Sequence, residues 1–261
     1  MNKWIEYSIQ YANQMSYLDD LFKVYPTIPE GIREMDTTKW KNVERAFKSK
    51  NNIALIESLL QMDLFPIKDS YVAYLRRDLE AIRRNPQTIN RLCGRIYELG
   101  ITKLYERCSE PKETNRQIGP LFKDWVRSKA LGITPVSLNK FVSTTCNAIL
   151  DASDTQMMDF AREELNYKHD KGLDFVARFN GKYVIGEAKF LTDFGGHQNA
   201  QFNDAISTIS TQRVKAVKIA ILDGVLYIPS NNKMYKAITQ TYKNEYIMSA
   251  LVLRDFLYQI K

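Results

Sequence analysis

Histidine and cysteine are scarce in this chain of 261 residues, which contains two histidines and three cysteines. Cys93, Cys108 and Cys146 are odd in number and lack the close spacing of metal ligands. This shortage argues against a zinc site and favours three reduced thiols, as in a cytoplasmic protein. A metal ion bound here would instead have oxygen ligands, which suit Mg²⁺ or Mn²⁺.

Long apolar runs are also missing. No stretch approaches the roughly 18 residues of a membrane span, and the N-terminal residues lack the apolar core of a signal peptide. With 11 glycines and 8 prolines, the chain has no low-complexity tract and no evident repeat. We expect a globular cytoplasmic protein without membrane association, folded as one large domain or two small ones.

Positive charge is in excess, with a formal net charge of +7 and a pI of about 9.1. Residues 76–116 contain ten Lys or Arg against six Asp or Glu, so this segment alone carries +4. Residues 71–84 have helical periodicity, with Arg76 and Arg77 on or near the polar side. Such a helix could contact phosphates. The alternative is an exposed amphipathic helix without a ligand.

The secondary-structure pattern changes along the chain. The pattern of residues 1–135 predicts mainly helices, including one from Pro86 to Leu99 that ends at Gly100. Residues 136–261 mix strands and helices. The later elements are a short strand at 140–143, a helix at 155–165 capped by Ser153 or Asp154, a hairpin at 173–189, a helix at 197–209, strands at 216–222 and 225–228, and helices at 233–241 and 246–258. This order predicts an α/β fold with a mixed central β-sheet flanked by helices and a large helical N-terminal part.

The predicted hairpin brings two acidic residues together. Asn180-Gly181 is a strong signal for a two-residue type I′ turn between strands at 173–179 and 182–189. Pairing Phe179 with Lys182 then places Asp174 opposite Glu187. Because side chains alternate along a strand, Lys189 shares the face of Glu187. The two carboxylates repel each other, and a hard divalent cation such as Mg²⁺ relieves that repulsion. The alternative is a hairpin with a solvated polar face.

Asp174 followed by Glu187-Ala188-Lys189 resembles the motif of the PD-(D/E)xK nuclease family, although Leu173 stands where that motif has proline. The resemblance covers about residues 154–228 and implies a mixed sheet with helices on each side. It also implies that Asp174 and Glu187 hold Mg²⁺ together with the carbonyl oxygen of Ala188. Lys189 then positions or polarises the attacking water, or stabilises developing charge. Residues 136–261 would form the nuclease core, and residues 1–135 could serve DNA binding or dimerisation.

Some members of this family carry an additional acidic residue on the helix before the catalytic strand. Glu163 and Glu164 occupy that helix here, and Glu164 is the preferred candidate for a metal-water ligand. The alternative is that both glutamates are only solubilising.

A glycine-rich turn and a polar helix follow the Glu-x-Lys strand. His197, Gln198, Asn199 and Gln201 come directly after Gly195-Gly196, with Gln198 and Gln201 spaced to share a helix face. Glutamine and asparagine pair bidentately with adenine in the major groove. We therefore expect this helix to contact DNA. A capped polar surface helix is the alternative.

A second polar cluster, Asn115-Arg116-Gln117, precedes an apolar helix. Arg116 could reach a phosphate or a guanine edge, while the alternative is an ordinary polar helix N-terminus.

These features together favour a Mg²⁺-dependent, sequence-specific endonuclease of double-stranded DNA that resembles a type II restriction endonuclease. A palindromic target would favour a homodimer, since isologous symmetry matches the symmetry of the duplex. No organic cofactor is expected. Two alternatives stay open: a junction resolvase or repair nuclease of the same fold, and a non-catalytic DNA-binding protein.

Overall fold

A computed structural model describes residues 1–14, 16–26, 34–110 and 117–261 of the chain. The chain divides into two compact units. The first, the core unit, joins Met1–Thr27 to Thr114–Lys261, and the second, the inserted unit, spans Ile28–Glu113. This division differs from the sequence-based one at residue 135, because the first helices fold with the C-terminal part of the chain.

The core unit contains a β-sheet and the helices that pack on it. Its α-helices in the described residues are α1 (Lys3–Ala12), α2 (Tyr17–Val24), α8 (Ile118–Arg127), α9 (Leu138–Ser143), α10 (Asp154–Leu165), α11 (Gly196–Ser210), α12 (Lys233–Lys236) and α13 (Ala250–Gln259). Its strands are β1 (Ala148–Ile149), β2 (Phe175–Phe179), β3 (Lys182–Leu191), β4 (Val217–Gly224) and β5 (Ile247–Met248).

The five strands lie in the order β1-β2-β3-β4-β5. The β1–β2 and β2–β3 pairs are antiparallel, whereas β3–β4 and β4–β5 are parallel. This is a mixed sheet, as the sequence predicts. The parallel β3–β4 step requires a crossover, and α11 supplies it.

The β2–β3 hairpin has the predicted register. Val176 pairs with Ile185 and Phe179 pairs with Lys182. Asn180 and Gly181 have φ values of 50° and 75°, the positive values that a type I′ turn requires. The hairpin therefore follows directly from local sequence signals.

Both faces of the sheet are covered by helices. Every residue of β2 is buried, and alternate residues of the strand join two different apolar clusters. Phe175, Ala177 and Phe179 belong to a cluster that includes side chains of α1, α2, α8, α11 and α13. Val176 belongs to another cluster, to which α10 contributes Met157 and Phe160. The predicted α/β class with helices on both faces is confirmed.

A buried polar network ties the N-terminal helices to the sheet. Asp223, at the end of β4, is fully buried and accepts hydrogen bonds from the Tyr25 hydroxyl, the Ser249 hydroxyl and the Ala250 N–H. Burial raises the pKa of Asp223 to about 6, although these donors oppose the shift. The Tyr17 hydroxyl also accepts from the Gly224 N–H. These contacts hold α2 against the end of β4, although the inserted unit separates the two elements in sequence.

The inserted unit is helical in its described residues, in agreement with the sequence. Its helices are α3 (Thr37–Lys48), α4 (Asn52–Leu60), α5 (Val72–Arg77), α6 (Ala81–Arg84) and α7 (Pro86–Cys108). The single helix predicted at 71–84 is wrong, because it is interrupted between α5 and α6. Gly100 does break the helical backbone as predicted, but a second helical segment continues directly after it, to Cys108.

Three other local predictions are wrong. Residues 140–143 lie in α9, where Phe141 is buried and its carbonyl accepts from the guanidinium of buried Arg178. Residues 225–227 form a 3₁₀ turn, since Gly224 at φ 100° ends β4 against the Leu191 carbonyl. Residues 246–258 begin with β5 before α13 starts. In each case a tertiary contact overrides the local propensity.

No helix of the described residues is both long enough and apolar enough to cross a membrane.

Candidate active site

Asp174, Glu187 and Lys189 meet at the open end of the β2–β3 hairpin. Asp174 directly precedes β2, and its N–H donates to the Gly186 carbonyl at 3.1 Å. Glu187 and Lys189 lie two residues apart on β3 and therefore point to the same face. The hairpin register thus brings the three side chains together.

One ammonium group joins the two carboxylates. The Lys189 Nζ donates to Glu187 Oε2 at 2.8 Å and to Asp174 Oδ2 at 3.2 Å. The backbone N–H of Ala188 donates to the same Asp174 oxygen at 3.0 Å. Asp174 is therefore oriented by one main-chain donor and one charged donor.

Glu187 is in an unusual environment for a carboxylate. The residue is 1% exposed, and its Oε1 atom has no hydrogen-bond partner in the described residues. Burial, and then the nearby charge of Asp174, raise the pKa of Glu187 to about 7, although Lys189 and Lys171 act in the opposite direction. A buried carboxylate oxygen without a donor is costly unless another group satisfies it.

Lys189 stays protonated at neutral pH. Burial disfavours its charged form, but Asp174 and Glu187 outweigh burial and raise the pKa of the ammonium group above its ordinary value. Lys189 is therefore a fixed positive charge in this site. It is placed to hold a polar group by hydrogen bonding.

A second lysine, which the motif does not include, also contacts Glu187. Lys171 Nζ lies 3.3 Å from Glu187 Oε2 and 3.1 Å from Asp204 Oδ2, at ion-pair distance but without hydrogen-bond geometry. Gly172 packs so closely on α10 that a Cβ atom there would lie 2.8 Å from the Asp154 Cβ. The only sequence signal for Lys171 is its place three residues before Asp174.

The donor set fits a hard divalent cation. Asp174 and Glu187 supply carboxylate oxygens, and Glu187 Oε1, which no described residue satisfies, is a position where a cation would provide a partner. Within the described part of the chain, no three His, Cys, Asp or Glu side chains cluster around one point. Two carboxylates nonetheless suffice for Mg²⁺, which commonly takes one or two from a protein and completes its shell with water and phosphate oxygens.

The predicted recognition residues fall into two groups. Gln198 is buried, and its amide bonds to both the N–H and the hydroxyl of Thr192, while Asn199 donates to the Phe194 carbonyl. These two side chains stabilise the turn before α11, so the prediction that Gln198 faces outward beside Gln201 is wrong. His197 is exposed, and its Nε2 atom lies 3.1 Å from Gln201 Nε2. Of the four residues predicted to contact DNA here, His197 is exposed and Gln201 is half-buried beside it.

Of the second predicted cluster, Asn115-Arg116-Gln117, the structure describes Gln117 alone. Asn115 and Arg116 lie outside the described residues, and Gln117 directly precedes α8. The first turn of α8 approaches the site, because a Cβ atom built on Gly119 would lie 3.8 Å from Asp174 Oδ1. The segment that ends at Gln117 thus leads into the neighbourhood of Asp174.

The remaining predicted residues do not contact Asp174, Glu187 or Lys189. Glu164 is exposed on α10, and no described hydrogen bond or ion pair joins it to Asp174 or Glu187. Arg76 and Arg77 are exposed in the inserted unit, where Arg76 donates to the Met62 carbonyl at 2.9 Å. A metal-water role for Glu164 and phosphate contacts for both arginines stay predictions.

The raised pKa of Glu187 predicts a specific pH dependence of stability without metal. Between about pH 4.5 and pH 7 the unfolded chain releases this proton while the folded chain retains it. This group's contribution to the free energy of unfolding should therefore fall as pH rises, by up to about 3 kcal/mol. Glu187→Gln cannot titrate, so its stability curve should be flatter over this window. Urea unfolding in EDTA across the window measures the difference. Glu164→Gln is the exposed control, and parallel curves for Glu187→Gln and the wild type would contradict the shift.

Comparisons with known proteins agree with the geometry. A family model described as Tsp45I type II restriction enzyme matches residues 2–260, nearly the whole chain. No curated protein and no solved structure gave a match. This family implies a site-specific deoxyribonuclease that acts on DNA. The chain therefore belongs to the Tsp45I family of type II restriction enzymes.

Proposed function

We propose that this protein is a Mg²⁺-dependent endonuclease that hydrolyses phosphodiester bonds at a specific sequence of double-stranded DNA, with Asp174, Glu187 and Lys189 as its catalytic residues. The observation that carries the proposal is the pairing of two carboxylates around one lysine, with a buried Glu187 oxygen that has no donor among the residues the structure describes. Family membership supports the DNA substrate. The carboxylate pair supports the metal.

In this mechanism, residues of the chain would bind the cation and orient the attacking water. Asp174 and Glu187 would hold the cation, with the carbonyl of Ala188 as a further oxygen ligand by resemblance to the nuclease family. When bound, a divalent cation supplies charge neutralisation at the scissile phosphate and a lowered pKa for bound water. Lys189, freed from the carboxylates, would orient the attacking water or bind a phosphate oxygen, since its charge is retained at neutral pH.

We further propose that the protein acts as a homodimer. A type II enzyme that cuts both strands of a palindromic site needs one active site for each strand, and a two-fold axis provides this arrangement. Asn115 and Arg116, with Gln117, are proposed to contact DNA near the cut, because Gln117 leads into the turn of α8 beside Asp174.

Cleavage of plasmid DNA with Mg²⁺, followed by mapping of the ends, tests the function as a whole. We expect discrete fragments whose ends share one short sequence. Nicks confined to branched or damaged DNA would instead identify a structure-specific nuclease. Binding without any cleavage would identify a non-catalytic DNA-binding protein. Either result would overturn the proposal.

Base recognition is proposed to use the exposed His197 and the half-buried Gln201. Gln201→Ala should weaken binding to the mapped target by roughly 1–3 kcal/mol and binding to random duplex much less. Gln198→Ala, the matched control, should instead lower the free energy of unfolding by about 1–3 kcal/mol, because Thr192 loses its buried partner. Affinities for both duplexes, measured in Ca²⁺, decide the point. Equal losses on the two duplexes for Gln201→Ala would make it a backbone contact.

Phosphate contacts by the inserted unit are proposed for Arg76 and Arg77. Arg77 is the cleaner probe, since Arg76 also donates to the Met62 carbonyl and its loss would disturb the fold. Arg77→Gln should weaken binding similarly on all sequences and make the slope of log K against log salt shallower by about 0.9. Lys41→Gln, an exposed position on α3, is the control. An unchanged slope for Arg77→Gln would show that this arginine is only solvated.

A further inference from the structure

Lys171 connects the catalytic carboxylate Glu187 to helix α11. Its ammonium group lies between Glu187 Oε2, at 3.3 Å, and Asp204 Oδ2, at 3.1 Å. The Nζ atom is enclosed and has no hydrogen bond in the described residues, although the side chain as a whole is 21% exposed. A buried ammonium group without a hydrogen bond is held by the two charges alone, so it responds to any change in either of them.

The backbone that carries Lys171 is held in place. Gly172 abuts Asp154 at the start of α10, and the Leu173 N–H donates to the Asp154 carbonyl at 3.2 Å. Movement of the ammonium group is therefore restricted to the lysine side chain. That side chain is long enough to shift between two neighbouring carboxylates without movement of the main chain.

Asp204 places the other end of this connection on α11. Its side chain is 54% exposed, and it lies three residues after Gln201, on the same helix face. The helix that carries His197 and Gln201 is thus linked by a charge to Glu187. This link consists of one side chain, that of Lys171, which joins Asp204 of α11 to Glu187.

We propose that Lys171 is a positioning residue for the nuclease reaction, an inference that rests on the proposed function. It holds Glu187 in the absence of a cation and is retained by Asp204 once a cation occupies the carboxylate pair. Asp204 and Glu187 compete for one ammonium group, so the position of α11 sets how readily Glu187 is released. Binding of DNA along α11 is thereby coupled to the readiness of the site for its cation.

This coupling predicts opposite effects of two substitutions on cation binding. Lys171→Met removes a positive charge from beside the carboxylates, so Ca²⁺ should bind about 3–10-fold more tightly. Asp204→Asn leaves Glu187 as the one ion-pair partner of Lys171 in the described part of the chain, so Ca²⁺ should bind more weakly by a similar factor. The double variant should behave like Lys171→Met. The readout is the rise in Tm with Ca²⁺ in the absence of DNA, measured at about pH 8.5, which is above the raised pKa of Glu187 in the wild type.

Cleavage provides the second readout. In single-turnover reactions at saturating DNA and Mg²⁺, Lys171→Met should be at least about 10-fold slower, since Glu187 is no longer positioned. Lys171→Arg should restore the rate to within a few-fold. Lys168→Met, an exposed lysine in the same segment, should match the wild type in both assays.

Each contrary outcome is distinguishable. If Lys171→Met and Asp204→Asn shift the Ca²⁺ response in the same direction, or not at all, the positioning role is wrong. Slow cleavage that Lys171→Arg does not restore, together with a lowered Tm, would reduce Lys171 to a residue needed only for folding. A wild-type protein that binds Ca²⁺ but cleaves no DNA would refute the proposed function, while the opposed Ca²⁺ shifts would still decide the role of Lys171.

Discussion

Asp174→Asn and Glu187→Gln should each reduce DNA cleavage by about 10³-fold or more, because either change removes a negative charge from the pair proposed to hold the cation. Both substitutions keep the shape of the side chain. The effect should appear in the rate at saturating DNA, since neither residue is proposed to read the target sequence. Single-turnover cleavage of the mapped target duplex in Mg²⁺ measures it.

Asparagine is a better replacement than alanine at position 174. Asp174 Oδ2 accepts from the Ala188 N–H and from Lys189, and alanine would leave both donors without that oxygen. The Asp174→Asn side chain retains an acceptor for the backbone, so the fold and the binding of DNA should survive. Asp159→Asn, at an exposed position on α10, is the control for the loss of an acidic charge. Cleavage within a few-fold of the wild type by either Asp174→Asn or Glu187→Gln would refute the assignment of the carboxylate pair.

Lys189→Met should also be severe, with a loss of about 10²–10³-fold in the cleavage rate. The ammonium group is the one cation that touches both carboxylates by hydrogen bonds in the described site, and its raised pKa keeps it charged at neutral pH. Methionine preserves the unbranched side chain as far as Cε but removes the ammonium group, and with it the charge and the donors. The loss should be in the rate and not in the affinity for DNA.

Lys182→Met is the matched control for this change, because Lys182 is exposed at the opposite end of β3. It should cleave as the wild type does. If Lys189→Met weakens DNA binding in Ca²⁺ as much as it slows cleavage, Lys189 is a binding residue, and its proposed role in orienting water or stabilising charge is wrong.

The centre of the site could be predicted because its signals are local. A two-residue turn at Asn180-Gly181 fixes the register of a hairpin, and the register fixes which side chains oppose each other. Nothing beyond residues 174–189 is needed to place Asp174 beside Glu187. The turn dihedral angles and the pairing of β2 with β3 confirm that register.

The outer part of the site could not be predicted in the same way. Gln198 and Gln201 look equivalent in the sequence, yet Gln198 turns inward to Thr192. Helical spacing shows that two residues lie near the same side of a helix, but it does not show which of them is buried. Lys171 carries no motif signal, because its contact with Asp204 depends on where α11 packs against the sheet.

The division of the chain into two units could not be predicted from the sequence for a similar reason. Tyr25 reaches Asp223 across 198 residues, and this buried contact assigns α2 to the core unit. A hydroxyl and a carboxylate so far apart in sequence leave no periodic pattern. The helical character of the first part of the chain was predictable, whereas its separation into N-terminal helices and an inserted unit was not.

The most direct test of the central claim is single-turnover cleavage of the mapped target duplex by the wild-type protein, with Mg²⁺ supplied and then withheld by EDTA. We expect cleavage at one position in each strand with Mg²⁺, no cleavage in EDTA, and no cleavage of a duplex with one altered base pair in the target. Full cleavage in EDTA would contradict a metal held by Asp174 and Glu187. Equal cleavage of the altered duplex would contradict a sequence-specific nuclease.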